Sequence, residues 1–138
     1  MTSKTEQVHE AVKARFQAAL PFADVVRNQD KPGRPSPGGK VNILDGDPEE
    51  IGVDFNPPTW MYQDEIPVEI IAPDAATLTS IASAIGQTIA SDRFLGGLCD
   101  YIRVTPMKTA SVQSEGTAAI AGGEFSVIAL YSTASPLG

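Results

Sequence analysis

Glu65-Ile66-Pro67-Val68-Glu69-Ile70-Ile71-Ala72-Pro73-Asp74-Ala75-Ala76-Thr77-Leu78 is the stretch in which the hydrophobic period changes from two to nearly four. Ile66, Val68 and Ile70 alternate with Glu65, Pro67 and Glu69, which predicts a β-strand over residues 59–72 with one apolar face. Pro67 brings no N–H to a ladder, so the strand is expected at a sheet edge or with a bulge there. Pro73 ends the strand, and Asp74 can accept from the free amides of a following helix. Leu78, Ile81, Ile85 and Ile89 then recur at spacings of three and four, the stripe of an amphipathic helix.

Downstream, Gly96-Gly97 marks a return, residues 101–111 a further strand and residues 124–133 the last. Phe125, Val127, Ala129 and Tyr131 fall on one face of that last strand, Ile128 and Leu130 on the other. Apolar side chains on both faces predict a central strand. One face is expected against the helix beginning at Asp74, the other against the first helix or a neighbouring subunit. Upstream, Ser3 and Glu6 have capping-box spacing, and Val8, Val12 and Phe16 recur every four residues until Pro21 stops the helix. His9, Lys13 and Gln17 lie off that stripe and are expected to face water or a partner. Residues 23–27 predict a short strand. Val41 and Ile43, then Ile51, Val53 and Phe55, predict two more around the turn Asp45-Gly46-Asp47-Pro48. Residues 31–58 contain 11 of the 23 Pro and Gly residues, and 28–40 is too rich in them to hold a regular element. That segment is expected to be an arm or binding loop, ordered against a partner. Strands grouped around two helices predict a single α+β domain over residues 1–138, with a mixed, mainly antiparallel sheet packed against the helices.

The chain has 138 residues, 42% hydrophobic and 20% charged, which suits one globular domain able to bury about two-thirds of its unfolded surface. A net charge of −7 disfavours binding to a phosphate backbone or to anionic lipid. The charge is uneven. Residues 1–40 carry seven basic and four acidic side chains, net +3, and residues 41–138 carry three basic and 13 acidic, net −10. Such a chain can meet copies of itself through unlike surfaces. The polar start MTSKTEQVHE resembles no secretory signal, and no apolar run is long enough to span a membrane, so a cytoplasmic origin and no membrane partner are expected.

Chemistry-bearing constellations are sparse. One cysteine, Cys99, and one histidine, His9, exclude a disulfide framework and paired-His or multi-Cys metal motifs. A catalytic Cys99 would need His9 as its base, from 90 residues upstream. Asp64, Glu65 and Glu69 could make a carboxylate pair for acid–base work, or simply a solvated strand face. The acidic run Asp45, Asp47, Glu49, Glu50 and Asp54 lacks the residue order of a calcium loop. Gly96-Gly97 and Gly122-Gly123 read as turns, and neither belongs to a phosphate-binding loop. These residues predict no catalytic group, no cofactor and no metal. The expected working surface is electrostatic: Arg27, Lys31, Arg34 and Lys40 facing Asp45, Asp47, Glu49 and Glu50 of a neighbouring subunit or of a tube.

Three stretches together carry a family resemblance. They are Val68-Glu69-Ile70-Ile71-Ala72-Pro73-Asp74, then Asp92-Arg93-Phe94-Leu95-Gly96-Gly97-Leu98-Cys99-Asp100-Tyr101-Ile102, then Phe125-Ser126-Val127-Ile128-Ala129-Leu130-Tyr131-Ser132-Thr133. Over roughly residues 60–138 the chain resembles the small tail-terminator (tail-completion) proteins of long-tailed bacteriophages and related gene-transfer particles. The resemblance implies a ring of identical subunits, typically six, seated on the last ring of the tail tube. Such a ring would stop polymerisation and join tail to neck. Its partners would be its own copies, the tube protein and a neck or head-completion protein. DNA would pass through an acidic lumen without specific binding, and the protein would reside in the virion after assembly in the host cytoplasm. No catalytic or ligand residue transfers. A head–tail connector or stopper would share the ring and differ in neighbours. A small cytoplasmic enzyme using Cys99 or the carboxylates is the alternative of another class.

Overall fold

A computed structural model describes residues 3–29, 37–112 and 120–135. The element order is α1 (Lys4–Ala19), β1 (Asp24–Arg27), β2 (Lys40–Ile43), β3 (Glu49–Phe55), β4 (Pro58–Ala72), α2 (Ala75–Ser91), a 3-10 turn (Leu95–Gly97), β5 (Tyr101–Val104), β6 (Lys108–Val112) and β7 (Ile120–Thr133). Seven strands form one mixed sheet against two helices, an α+β fold. The β1–β2 pair is parallel; every other pair is antiparallel.

Two long strands make the spine. β4 pairs with β7 from Trp60↔Thr133 to Ala72↔Ala121. Each carries two short strands end to end on its outer edge. β2 lies along Val68–Ile71 of β4 and β3 along Pro58–Gln63; β5 lies along 127–130 of β7 and β6 along 120–124. The turn at 45–48 is therefore a step along one edge, not a hairpin between β2 and β3.

Three expectations about the strands change here. β4 is central, not an edge. Pro67 is tolerated because its polar side faces the gap between β2 and β3, where its carbonyl accepts from Leu44 N–H at 2.9 Å. The strand expected over 101–111 is two strands, broken at Thr105-Pro106-Met107. Pro106 cannot donate to a ladder, and Thr105 spans the break: its N–H donates to Ser126 O at 2.9 Å and its hydroxyl accepts from Ser126 N–H at 2.9 Å. Lys40, assigned by its sequence to the loop, is the first residue of β2 and is buried. Residues 30–36, including Lys31 and Arg34, lie outside the described residues.

The helices form where caps and periodicity place them. Ser3 Oγ accepts from Glu6 N–H at 3.1 Å, and Asp74 Oδ1 from Thr77 N–H at 2.7 Å. Both helices pack on the same face of the sheet. Val8, Val12 and Phe16 of α1 and Leu78, Ile81, Ile85 and Ile89 of α2 share one core with Ile66, Val68 and Ile70 of β4 and Phe125, Val127, Ala129 and Tyr131 of β7. Each Val, Leu, Ile or Phe among them contributes about 1.5–3 kcal/mol on burial. Helix α1 thus does not cover the second face of β7. That face, with Glu65 and Glu69 of β4 and Leu130 of β7, has no helix against it among the described residues. No helix among them is long and apolar enough to cross a membrane.

Candidate functional site

Residue parity in β4 decides where its charges go. Asp64 has the parity of Ile66 and Val68 and is fully buried on the helix side; Glu65 and Glu69 have the opposite parity. The three carboxylates therefore cannot act together. Glu65 and Glu69, four residues apart on one strand, lie about 13 Å apart at the backbone, too far for a shared-proton pair.

Asp64 is held by a network that the helical stripe did not reveal. Its Oδ2 accepts from Tyr131 Oη at 3.0 Å and lies 2.7 Å from His9 Nε2; Tyr131 Oη in turn meets Thr5 Oγ1 at 2.9 Å. Asp64 Oδ1 has no partner among the described residues. His9 is buried, contrary to the expectation that it faces water. Two signals pointed to this. His9 precedes Phe16 by seven residues, which returns it to the buried face, and a carboxylate on the buried parity of a strand needs a donor. Burial, with the neighbouring carboxylate, raises the Tyr131 phenol well above its ordinary range. Gln17 stays exposed as expected, its Nε2 donating to Leu20 O and Ala23 O at the end of α1. Lys13 is partly exposed, so of the three off-stripe residues only His9 leaves the solvent-facing side.

At the outer end of this network sits Arg27. Its guanidinium donates to Glu6 Oε1 and Oε2 at 2.6 and 2.8 Å, to Glu10 Oε1 at 2.5 Å and to Asp45 Oδ1 at 2.8 Å. His9 Nδ1 lies 3.4 Å from the same Asp45 oxygen. The hydrogen bond from Arg27 holds Glu6 below the ordinary carboxylate range. For Asp45, burial pushes upward, but hydrogen bonds from Arg27 and Asn28 outweigh it, and its value is also lowered. Arg27 is held ionised, chiefly by Glu6. Glu6, His9 and Asp45 offer ligand atoms within 4.8 Å of one another, a metal-like convergence. The cation at this convergence is the guanidinium itself.

The expected electrostatic surface is thus redistributed. Arg27 and Asp45 do meet, but within one subunit. Lys40 is buried in β2. Asp47, Glu49 and Glu50 are exposed and make no ion pair among the described residues. They lead into β3, which with the start of β4 forms a hairpin closed at Phe55↔Pro58. The apolar residues of β3 alternate as expected; Val53 is partly covered, but among the described residues Phe55 is left 84% exposed and Ile51 54%.

Cys99 is buried, and burial pushes its thiol up to about 12. Such a thiol is no nucleophile near neutrality. Both nitrogens of His9 are engaged elsewhere, and no bond joins it to Cys99 among the described residues. The Asp92-Arg93-Phe94-Leu95-Gly96-Gly97 turn is built rather than reactive. Asp92 accepts from Gly96 and Phe94 N–H at 2.8 and 3.2 Å and pairs with Arg15 at 2.8 Å, and Gly96 and Gly97 take φ of 66° and 95°.

No protein-family model matches the chain, and no curated protein matches it in sequence. Its fold is matched among solved structures. A chain of the virion of a native gene transfer agent (GTA) particle is 14% identical with a TM-score of 0.54, over 91% of this chain and 95% of that one. A second solved chain is 15% identical with a TM-score of 0.56, over 94% of this chain and 96% of that one. At these identities the likeness is one of fold, and it extends over almost the whole of both chains.

Proposed function

We propose that the chain is a structural protein of a phage-like particle, and specifically a tail terminator. A ring of its copies, six in number, caps the capsid-proximal end of the tail tube, stops its polymerisation and joins it to the neck. The observation that carries this reading is the fold shared end to end with a chain of a gene-transfer-agent virion. The Asp92–Asp100 turn and the Ala129–Thr133 strand, whose sequences resemble tail terminators, stand in that fold as an ordered turn and a central strand. Function then resides in surfaces. The uncovered sheet face and the exposed β3–β4 hairpin are the surfaces on offer, and the titratable groups inside the subunit serve folding.

The test is tube assembly. Purified tube protein from the same particle is polymerised with and without this chain, and tube length is read by negative-stain electron microscopy. Tubes that stop growing and carry a density at one end only are expected. Tubes of unchanged length with bare ends overturn the terminator role. Density found only on isolated head–neck complexes would assign the chain to the connector instead.

A further inference from the structure

Strand register places two outer edges of the sheet at one level. Tyr101 pairs with Leu130, Leu130 with Gln63 and Gln63 with Glu49, so these four side chains form a row across β5, β7, β4 and β3, on the face without a helix. Tyr101 and Glu49 end the row, three strand spacings or about 14 Å apart, each on an outer strand. Among the described residues, four of the five large apolar side chains left exposed belong to these two edges: Ile51 and Phe55 of β3, and Phe94 and Tyr101 at β5. The apolar surface that the subunit leaves uncovered is thus concentrated on opposite sides of it.

The two edges differ in charge. Glu49, Glu50 and Asp54 lie on the β3 edge, and no Lys or Arg occurs between Lys40 and Arg93 to offset them. Of the three basic residues beyond Lys40, two stand at the β5 edge, Arg93 and Arg103. Neither has an ion pair among the described residues. Arg93 is held over the Tyr101 ring, its guanidinium carbon 5.6 Å from the centroid. Ile102 N–H donates to Arg93 O at 2.7 Å, which lays Arg93 along the outer side of β5. The acids nearby are turned elsewhere: Asp92 pairs with Arg15 at 2.8 Å, and Asp100 reaches back over β7, where its Oδ2 accepts from Ser132 Oγ at 3.3 Å.

We propose that the β5 edge of one copy receives the β3 edge of a second copy, with Glu49 and Glu50 against Arg93 and Arg103 and the rings of Phe55 and Phe94 covering each other. Arg93 already holds Ile102 N–H, so the contact is made by side chains and not by a shared ladder. A subunit cannot make it with itself, because the two edges face away from one another. The edges are unlike, so each copy gives one and receives the other. Opposite charges orient the copies, and the aromatic and Arg side chains anchor them. Repetition of such a head-to-tail contact closes a ring when the rotation permits. The contact deepens the ring reading above and rests on it only for closure.

The experiment uses the full chain in solution, with mass read by light scattering and native mass spectrometry and folding by circular dichroism. Arg103→Glu and Glu49→Arg change exposed residues. Each is expected to fold and to need about tenfold more protein than the parent chain to assemble in dilute buffer. The double variant keeps opposite charges across the contact and is expected within about threefold of the parent. An equal mixture of the two single variants should also assemble, as alternating copies, because every junction then pairs unlike charges. Phe94→Ser should weaken assembly at low and at high salt alike. Single variants that assemble like the parent overturn the proposal. So do single variants that fail and are rescued by neither the double variant nor the mixture, and so does a parent chain that stays monomeric with tube protein present. Tube length keeps the two readings apart. Tubes capped by Arg103→Glu as well as by the parent leave the terminator standing without this contact. Rescue by mixing, with tubes left uncapped, leaves the contact standing without the terminator.

Discussion

Tyr131 and Arg27 show how differently two polar residues can be used in one subunit. Tyr131 Oη is shared between Asp64 and Thr5 in the core. Tyr131→Phe keeps the ring and deletes both bonds, and it is expected to cost about 1–3 kcal/mol, read as a lower urea midpoint at unchanged slope. Arg27 is worth less than its number of bonds suggests, because Glu6, Glu10 and Asp45 are each about half exposed. Screening by water limits Arg27→Ala to about 1–2 kcal/mol. That variant leaves three carboxylates and His9 Nδ1 around a missing cation. Zinc is therefore expected to raise its melting temperature while leaving the parent chain unchanged. The pH dependence has a definite sign. Glu6 and Asp45 have folded values below their unfolded ones. The unfolded chain therefore binds more protons in acid, and their contribution is complete above about pH 4–5 and lost as pH falls through the lowered folded values. Acid unfolding curves of Arg27→Ala should be flatter over that window; equal slopes would show that the cluster is not linked to folding.

Helix α2 and residues 124–133 of β7 were legible because each obeys one period; Gly122-Gly123, expected as a turn, instead pair with Ile71 and Ile70 and carry β7 back to Ile120. Asp74→Ala removes the α2 cap and should cost about 1 kcal/mol without altering the fold. Val127 is completely buried where β7 meets the helices. Val127→Asp places an unpaired charge there, at several kcal/mol, comparable to the stability of a domain this size, and the variant should fail to give soluble folded protein. A soluble Val127→Asp chain with native circular dichroism would place that face of β7 elsewhere. What local pattern could not convey was the partition of 101–112 into β5 and β6. It depends on Thr105 meeting Ser126, a residue 21 positions away whose N–H and carbonyl are free only because β5 ends there. Pro67 misled for the same kind of reason: a missing N–H marks a gap along the strand, and the gap here is the space between β2 and β3 in the middle of a sheet.

For the whole molecule, assembly should depend on the acidic approach to the hairpin. Glu50→Lys changes an exposed residue with no ion pair among the described residues, so folding should be unaffected. Ring formation should weaken several-fold in dilute buffer, and the difference from the parent chain should vanish near 1 M salt, where the screening length is about 3 Å. Equal assembly of the two at low salt would show that the acidic run faces solvent in the ring. Of the groups a small-enzyme reading would use, His9 meets only Asp64, inside the core, while Cys99 is a buried thiol raised to about 12 and Glu65 and Glu69 lie on the opposite face of β4.

Composition and periodicity alone determined the α+β class, both helices with their caps, and the buried parity of β4 and β7. These are local properties: a cap needs residues three apart, and a stripe needs only its own period. Tertiary structure decided what depends on residues distant in sequence. It buried His9 against Asp64, 55 residues away, and joined Arg27 to Glu6, 21 residues away. It put both helices on one face of the sheet and, among the described residues, no helix on the other. The alternation of Ile51, Val53 and Phe55 announced an apolar face. That Ile51 and Phe55 stay exposed among the described residues follows from β3 pairing with β4 beyond the reach of the helices, a fact of topology that no local pattern contains.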